Sequence, residues 1–360
     1  MQSLVESLFP TPKFLRMPSV GLDISDKSIR FLGFRNERGG LRIDRYAERQ
    51  LPPGIVEAGK IKDARKMKEA LVALKEEYGL EFVRVSLPEE QAYLFEMRTP
   101  RVKKQDIKES VALQLEEYAP LKATEAVFDY ELVRETSDSY ILQVSAYPEP
   151  LAASYADIFL GSGLVPMSFE IEAQAIARAV TPKHNKGTSM IVDFGQTRSG
   201  IAIISEGIVV FASTVEIGGA RITEAIAQKL SLSLVDAERL KREYGLVRER
   251  RNGKADIFPI VLSNVATLRD EINKHFVYWH THRLGESGVR RPIEKIVLSG
   301  SGANLRGFPE YLARSMRVRV EVGDVWSNVA MPDTYLPVIT RRESLAYATA
   351  IGLALGDMRS

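Results

Sequence analysis

The chain has 360 residues, of which 45% are apolar and 27% charged, with a formal net charge of +2. That length suits two or more domains, and the near balance of charge gives no case for nucleic acid as the main partner. The absence of cysteine excludes disulfides, thiolate metal sites and cysteine nucleophiles, and fits a reducing compartment.

No apolar run approaches the ~18–20 residues that span a bilayer. Residues 1–16 lack a positive start followed by an apolar core, so they are not a secretory signal. Leu4, Val5, Leu8, Phe9, Phe14 and Leu15 suit a tail that packs on a domain or a partner; an unordered start is the other reading. From Ser19 to Gly40 the pattern predicts two strands around Ser25-Asp26-Lys27-Ser28. Asn36 to Gly40 is a turn, and Leu41 to Leu51 alternates as a third strand. The chain therefore opens on an antiparallel meander whose first strand ends at Asp23.

Pro52-Pro53-Gly54 closes this unit. Lys62 to Tyr78 is predicted helical, with Met67, Leu71, Leu74 and Tyr78 on one face, and Gly79 stops it. Phe82 to Pro88 is a strand. Arg101 to Tyr118 is a helix with Ile107, Val111, Leu115 and Tyr118 on one face. Ala126 to Arg134 and Tyr140 to Tyr147 form a hairpin. Strand, helix, strand, strand is a compact α+β unit without a glycine-rich turn or acid cluster, an interaction module rather than a catalytic one. A helix over Pro150 to Leu160, a strand over Leu164 to Glu170 and an Ala-rich helix over Ala173 to Val180 follow. Thr181 to Gly187 is a loop at the border between lobes.

Met190 to Asp193 and Ile201 to Ile204 read as buried strands joined by the turn Phe194 to Gly200, and Ile208 to Val215 supplies a third strand. Backbone N–H groups in a Gly-containing turn converge on an anion, and the hydroxyls of Thr197 and Ser199 can add to them. The aspartate suits Mg²⁺, usually through water. A plain hairpin with a polar tip is the other reading. What favours the phosphate reading is the matching layout at Val20 to Leu32. Two such tips suggest two related lobes facing one nucleotide.

After Gly218-Gly219, helices are predicted over Arg221 to Leu230, Ser233 to Tyr244 and Ala255 to Arg283, with a basic loop at Arg248 to Lys254. Pro292 to Leu298 is a buried strand followed by Ser299-Gly300-Ser301-Gly302-Ala303-Asn304. A helix over Phe308 to Met316, a strand over Val318 to Val322 and an Ala-rich helix over Glu343 to Leu355 end the chain. His275, His280 and His282 are not a metal set: His280 and His282 do not share a helix face, and no acid cluster joins them.

The order of these motifs resembles the actin-like ATPase superfamily over roughly Val20 to Leu355. Within it the chain looks most like the PilM family of type IV pilus assembly proteins. The segments that carry this are Phe14 to Ile24, Leu51 to Ile61, and the position of the small module. The resemblance implies an α/β, actin-like (RNase H-like) two-lobe fold with an inserted strand-helix-strand-strand domain, the SHS2 arrangement. Its expected division is a tail at 1–16, a first lobe from 17–55, 164–180 and 342–360, and an inserted domain at 56–163. The second lobe follows from 181–217 and 290–341, with a helical subdomain at 218–289.

The resemblance also implies the site, with ATP and Mg²⁺ as cofactors. Asp23 is the first phosphate-side acid, with Ser25, Lys27 and Ser28 around the phosphates. Asp193, Gly195, Gln196 and Thr197 form the second phosphate loop, and Asp23 and Asp193 sit near Mg²⁺, held through water. Glu172 matches the position that orients an attacking water; a glutamate starting a helix also favours the macrodipole without any such role. Glu238 and Lys241 match the pair near ribose and adenine, or are a surface ion pair three residues apart. Gly218 and Gly219 match the glycine turn, and Gly300, Ser301, Gly302 and Ala303 the adenosine loop. One departure stands out: the family's first loop usually reads Gly-Ser/Thr-Ser after the Asp-aliphatic pair, and here it reads Ser25-Asp26-Lys27-Ser28. The lost glycine restricts backbone approach and Asp26 adds a negative charge, so the second loop is expected to be the better-formed contact.

The implied role is a cytoplasmic scaffold, peripheral to the inner membrane through protein partners and at most a weak ATPase. The short cytoplasmic tail of PilN is the expected partner, in a groove between the first lobe and the inserted domain. Assembly and retraction ATPases, platform proteins and self-association are further expected contacts. The alternatives are an FtsA- or MreB-like filament or division anchor, a type II secretion module, and a small-molecule kinase of the same superfamily. The end at Asp357 to Ser360, without an amphipathic helix, favours the PilM family over FtsA.

Overall fold

Two five-stranded sheets with the same strand order organise the chain. The computed structural model describes residues 18–37, 39–248, 256–281, 291–332 and 334–358. The expected tail at 1–16, nearly all of the basic loop and His282 lie outside the described residues.

The first sheet begins with the expected meander, β1 (Ser19–Ile24), β2 (Ser28–Glu37) and β3 (Gly40–Gln50). A short strand pair, β4 (Val56–Glu57) and β5 (Lys60–Ile61), leads into α1 (Ala64–Tyr78) and β6 (Phe82–Leu87). Then come β7 (Tyr93–Pro100), α2 (Ile107–Tyr118), β8 (Ala126–Glu135), β9 (Ser139–Pro148) and α3 (Glu149–Asp157). The chain returns to the first sheet with β10 (Val165–Ile171), followed by α4 (Glu172–Val180). The second sheet is built from the meander β11 (Thr188–Phe194), β12 (Ser199–Ser205) and β13 (Ile208–Val215). Helices α5 (Gly219–Leu230), α6 (Leu234–Tyr244) and α7 (Phe258–Thr281) precede β14 (Lys295–Ser299), α8 (Phe308–Met316) and β15 (Arg319–Val322). The chain closes with the single turn α9 (Arg341–Ser344) and α10 (Ala348–Ala354).

The first sheet runs β10-β6-β1-β2-β3 and the second β15-β14-β11-β12-β13. In each, the first meander strand pairs antiparallel with its successor and parallel with a later strand. Asp23 and Asp193 therefore hold equivalent places, each the last residue but one of that central strand. Central strands covered on both faces read as continuous apolar runs, as in Val20, Leu22 and Ile24 and in Met190, Ile191 and Val192, all buried.

The small module is narrower than 56–163. Phe82–Leu87 pairs in parallel with β1, Val20 opposite Val83 and Leu22 opposite Val85, so it belongs to the first sheet. The helix before it buries Met67, Leu71 and Leu74 in the same core. The separate three-stranded sheet, ordered β7-β9-β8, starts at Tyr93 and ends at Pro148. Its first strand, YLFEMRTP, carries Glu96 and Arg98 and ends in proline, which hid it in the sequence. Helix α2 covers one face, and Met97, Ile107, Val111, Leu115, Leu142 and Val144 form a core of their own.

Helix α1 shows how local chemistry sets these bounds. Asp63 accepts a hydrogen bond from the Lys66 N–H at 3.0 Å, and Gly79, in the left-handed conformation, ends the helix. Asp63→Ala is expected to destabilise the helix through the lost cap, seen as a lower urea midpoint at unchanged slope. No described helix is long and apolar enough to cross a membrane.

Candidate functional site

Because the two central strands end at equivalent places, their tips face each other across a cleft. It is lined by Asp23, Ser25 and Lys27 from the first tip and Asp193, Gly195, Gln196 and Thr197 from the second. Glu172, Gly300 and Ser301 complete the expected set there, and Arg30, Arg198, Thr214 and Thr349 join it. Ser28, Gly218, Gly219, Gly302 and Ala303 do not line this cleft. Gly302 and Gly300 instead pack on Phe194: a Cβ on Gly302 would lie 2.5 Å from the ring, and one on Gly300 2.6 Å from the Phe194 carbonyl. Gly300 also has φ +77°, the left-handed region. These glycines are required by packing between the two loops.

Glu238 and Lys241 also stand apart from the cleft. Lys241 Nζ contacts Glu238 Oε2 at 2.6 Å and donates to the Gly219 carbonyl and the Thr223 hydroxyl. The Thr223 hydroxyl in turn donates to Glu238 Oε2. The pair is therefore an internal tie between α5 and α6, and its hydrogen bonds hold the Glu238 carboxyl down at about 2 against the penalty of partial burial. His280 is also structural, its Nε2 accepting from the Ile293 N–H.

The first tip is closed on itself. The Ser25 hydroxyl donates to the Ser28 carbonyl at 2.9 Å and accepts from the Ser28 N–H. Asp23 is buried and accepts from the Ser86 hydroxyl at 2.9 Å. The second tip sends Arg198 across the cleft. Its guanidinium donates to Asp26 Oδ1 at 3.1 Å and Glu172 Oε1 at 3.3 Å, and lies 3.0 Å from Glu90 Oε1 without hydrogen-bond alignment. All four side chains are nearly buried. Sequence reasoning missed Arg198, Glu89 and Glu90. The one available signal was the pair of opposite charges, Asp26 and Arg198, in two matched turns.

Burial dominates the electrostatics. It pushes Asp193 up to about 6 and raises Asp23, and it raises Glu172 well above the carboxylate range. Glu89 is pushed up to about 8 by burial and then by the charges of Asp193 and Glu90. A carboxyl whose folded value lies above its unfolded value of 4.5 binds a proton that the unfolded chain has lost. Its stabilisation is complete below that unfolded value and is lost as pH rises through about 8. The melting temperature is therefore expected to fall between pH 5 and 8 by several degrees more in the native chain than in Glu89→Gln. Parallel slopes in the two proteins would refute the assignment to Glu89.

A Mg²⁺–ATP occupant fits the backbone here and not the side chains. The matched tips are the right framework, yet only about 80 Å³ is free between them, against about 300–1,000 Å³ for small-molecule sites. Asp26 and Arg198 fill the space where the two loops meet. Among the described residues, no three His, Cys, Asp or Glu side chains converge as metal ligands.

Comparison with known proteins gives the chain its setting. Cell division protein FtsA of Rhizobium meliloti (strain 1021) is 26% identical over 200 residues, covering 51% of this chain and 43% of that protein. The chain thus spans less than half the length of the curated relatives it matches. Its fold is that of a solved PilM–PilN type IV pilus biogenesis complex, with TM-score 0.78, 22% identity, and 96% and 100% of the two chains covered. MreB5 of Spiroplasma citri bound to ADP matches at TM-score 0.56 and 11% identity, with 96% and 99% covered. These likenesses establish the actin-like fold. The sequence profile of type IV pilus assembly protein PilM matches residues 21–358, nearly the whole described chain, and the chain belongs to that family.

Proposed function

We propose that the chain is a scaffold of the type IV pilus assembly platform at the cytoplasmic face of the inner membrane. It docks the short tail of a PilN-type protein between the first lobe and the 93–148 module. The observation that carries this is the inner face of that module. Strand β9 turns Tyr140, Leu142, Val144 and Ala146 toward α2, and Gln143 and Tyr147 the other way. Gln143 is 1% exposed with neither amide atom hydrogen-bonded, and the Tyr147 hydroxyl is buried without a partner. Across this seam Gln174 of α4 reaches Ser145 at 3.5 Å. Buried polar groups without partners are unusual and call for an explanation; an extended peptide backbone would supply donors and acceptors for them.

Nucleotide binding in the cleft belongs to the same proposal, supported by the fold shared with ADP-bound MreB5 and opposed in the closed state by the lack of room. Asp23 and Asp193 would be the acids that hold Mg²⁺ once the side chains between the two loops part. The test is a titration of a PilN-tail peptide with and without Mg-ATP. Binding in both conditions supports the scaffold, and a difference between them supports coupling through lobe closure. A chain that ignores the peptide in both conditions is no such scaffold. The FtsA relatives favour a filament or division anchor as the second reading. Sedimentation with ATP and binding to lipid vesicles would show it.

A further inference from the structure

The cleft of an actin-like fold separates two lobes, and here the Arg198 side chain crosses it. Arg198 leaves the turn between β11 and β12 and meets carboxylates on three separate segments of the first lobe. Asp26 lies in the turn between β1 and β2, Glu90 in the turn after β6, and Glu172 at the start of α4. Asp26 is itself fixed, its Oδ1 accepting from the Gly59 N–H at 3.1 Å. A planar guanidinium with five donors suits this work better than a lysine, which presents one compact charge.

The charge count around it is lopsided. Asp23, Asp26, Glu90 and Asp193 face Lys27, Arg30 and Arg198, while burial favours the protonated forms of Glu89 and Glu172. Without Arg198 the carboxylates on opposite sides of the cleft would repel, and in a water-poor site such repulsion is strong. A phosphate chain entering the closed cleft would meet the same acids and no free guanidinium.

We propose that Arg198 is an interlobe clamp that stands in for bound phosphate. It holds the cleft closed without nucleotide, and a nucleotide enters only when its three pairs break. This rests on the cleft being the nucleotide site of the reading above.

The experiment is hydrogen exchange of the full chain at the two turns, residues 24–28 and 195–199, together with a titration of fluorescent MANT-ATP and Mg²⁺. The nucleotide-free native chain is expected to protect both turns, with no further protection from millimolar Mg-ATP. Arg198→Ala is expected to speed exchange in both turns by about tenfold or more. Should that variant fail to fold, the isosteric double variant Asp26→Asn, Glu90→Gln weakens the same pairs and is expected to give the same local rise. MANT-ATP is expected to bind the released variants more tightly than the native chain. Unchanged protection in a folded Arg198→Ala protein overturns the clamp. So does a native chain whose turns are protected only by Mg-ATP, or tight native binding that Arg198→Ala abolishes, since Arg198 would then be a phosphate ligand. If no variant binds MANT-ATP while exchange rises as expected, the clamp stands and the nucleotide reading falls. Peptide docking is measured separately.

Discussion

Replacing Gly352 by alanine is expected to destabilise the protein by about 3 kcal/mol, the upper end of what an overpacked core costs. On helix propensity alone the change would gain about 1 kcal/mol, since Gly352 sits inside α10 with ordinary helical φ. Contact decides against it. A Cβ at Gly352 would lie 1.8 Å from the carbonyl oxygen of Ala175 and 2.4 Å from its carbon, both backbone atoms of α4. On the opposite side of the same helix, a Cβ at Gly21 of β1 would lie 1.9 Å from the Ala350 carbonyl. Helix α10 is thus held between a strand and a helix at backbone contact, with Ala348, Ala350 and Ala354 buried around it. It cannot move away from either neighbour without losing the other. Arg178 locks the crossing by donating to the Gly352 carbonyl at 2.8 Å while pairing with Glu170. The urea midpoint should fall at unchanged slope, and a midpoint within a few tenths of a molar of native would show that the crossing can relax. Because Glu172 begins α4, the same substitution should also loosen the carboxylate that Arg198 holds.

This crossing was partly legible in the sequence, because runs of small residues at Ala173–Ala179 and Ala346–Ala354 are unusual unless helices approach closely. The two meanders were legible for a similar reason. Each is a local pattern of apolar strands around a polar tip, and Asp23 and Asp193 follow from where the apolar run ends. What the sequence hid is non-local. Phe82–Leu87 looks equally well like an opening strand of the small module, and only its parallel pairing with Ser19–Ile24, some sixty residues away, puts it in the first sheet. Glu238 and Lys241 show a helical spacing that fits a surface pair or a ribose site. Thr223 and the Gly219 carbonyl, from another helix, bind the pair to α5, a contact the spacing does not show. The pairing of Arg198 with Asp26 spans 172 positions. The sequence showed Asp26 only as a lost glycine, a defect in a phosphate loop, whereas the structure gives that carboxylate a partner in the opposite loop.

The remaining large effect concerns the residue that joins the two loops of the second lobe. Phe194 follows Asp193 directly and is 1% exposed. Its ring meets Phe308 edge-on at 5.4 Å between centroids, and Gly302 lies against its other atoms with no room for a methyl group. The ring is therefore the floor on which the 300–303 loop rests, and α8, through Phe308, supports the floor. Phe194→Ala removes both contacts and leaves a cavity that backbone on one side and an aromatic ring on the other cannot fill by collapse. The expected cost is about 3–5 kcal/mol, the range for truncating a buried phenylalanine. Phe194→Leu, which keeps most of the volume, should cost less than half of that. The local consequence separates this account from plain loss of core. In the alanine variant, amide exchange should rise first at 300–304, and next at 193–196, while 82–87 in the first sheet keeps its native protection. A uniform rise across both sheets would mean that Phe194 stabilises the fold as a whole and positions neither loop. A rise confined to the two loops would show that the glycines of Ser299-Gly300-Ser301-Gly302 serve the packing of this lobe, with or without a ligand in the cleft.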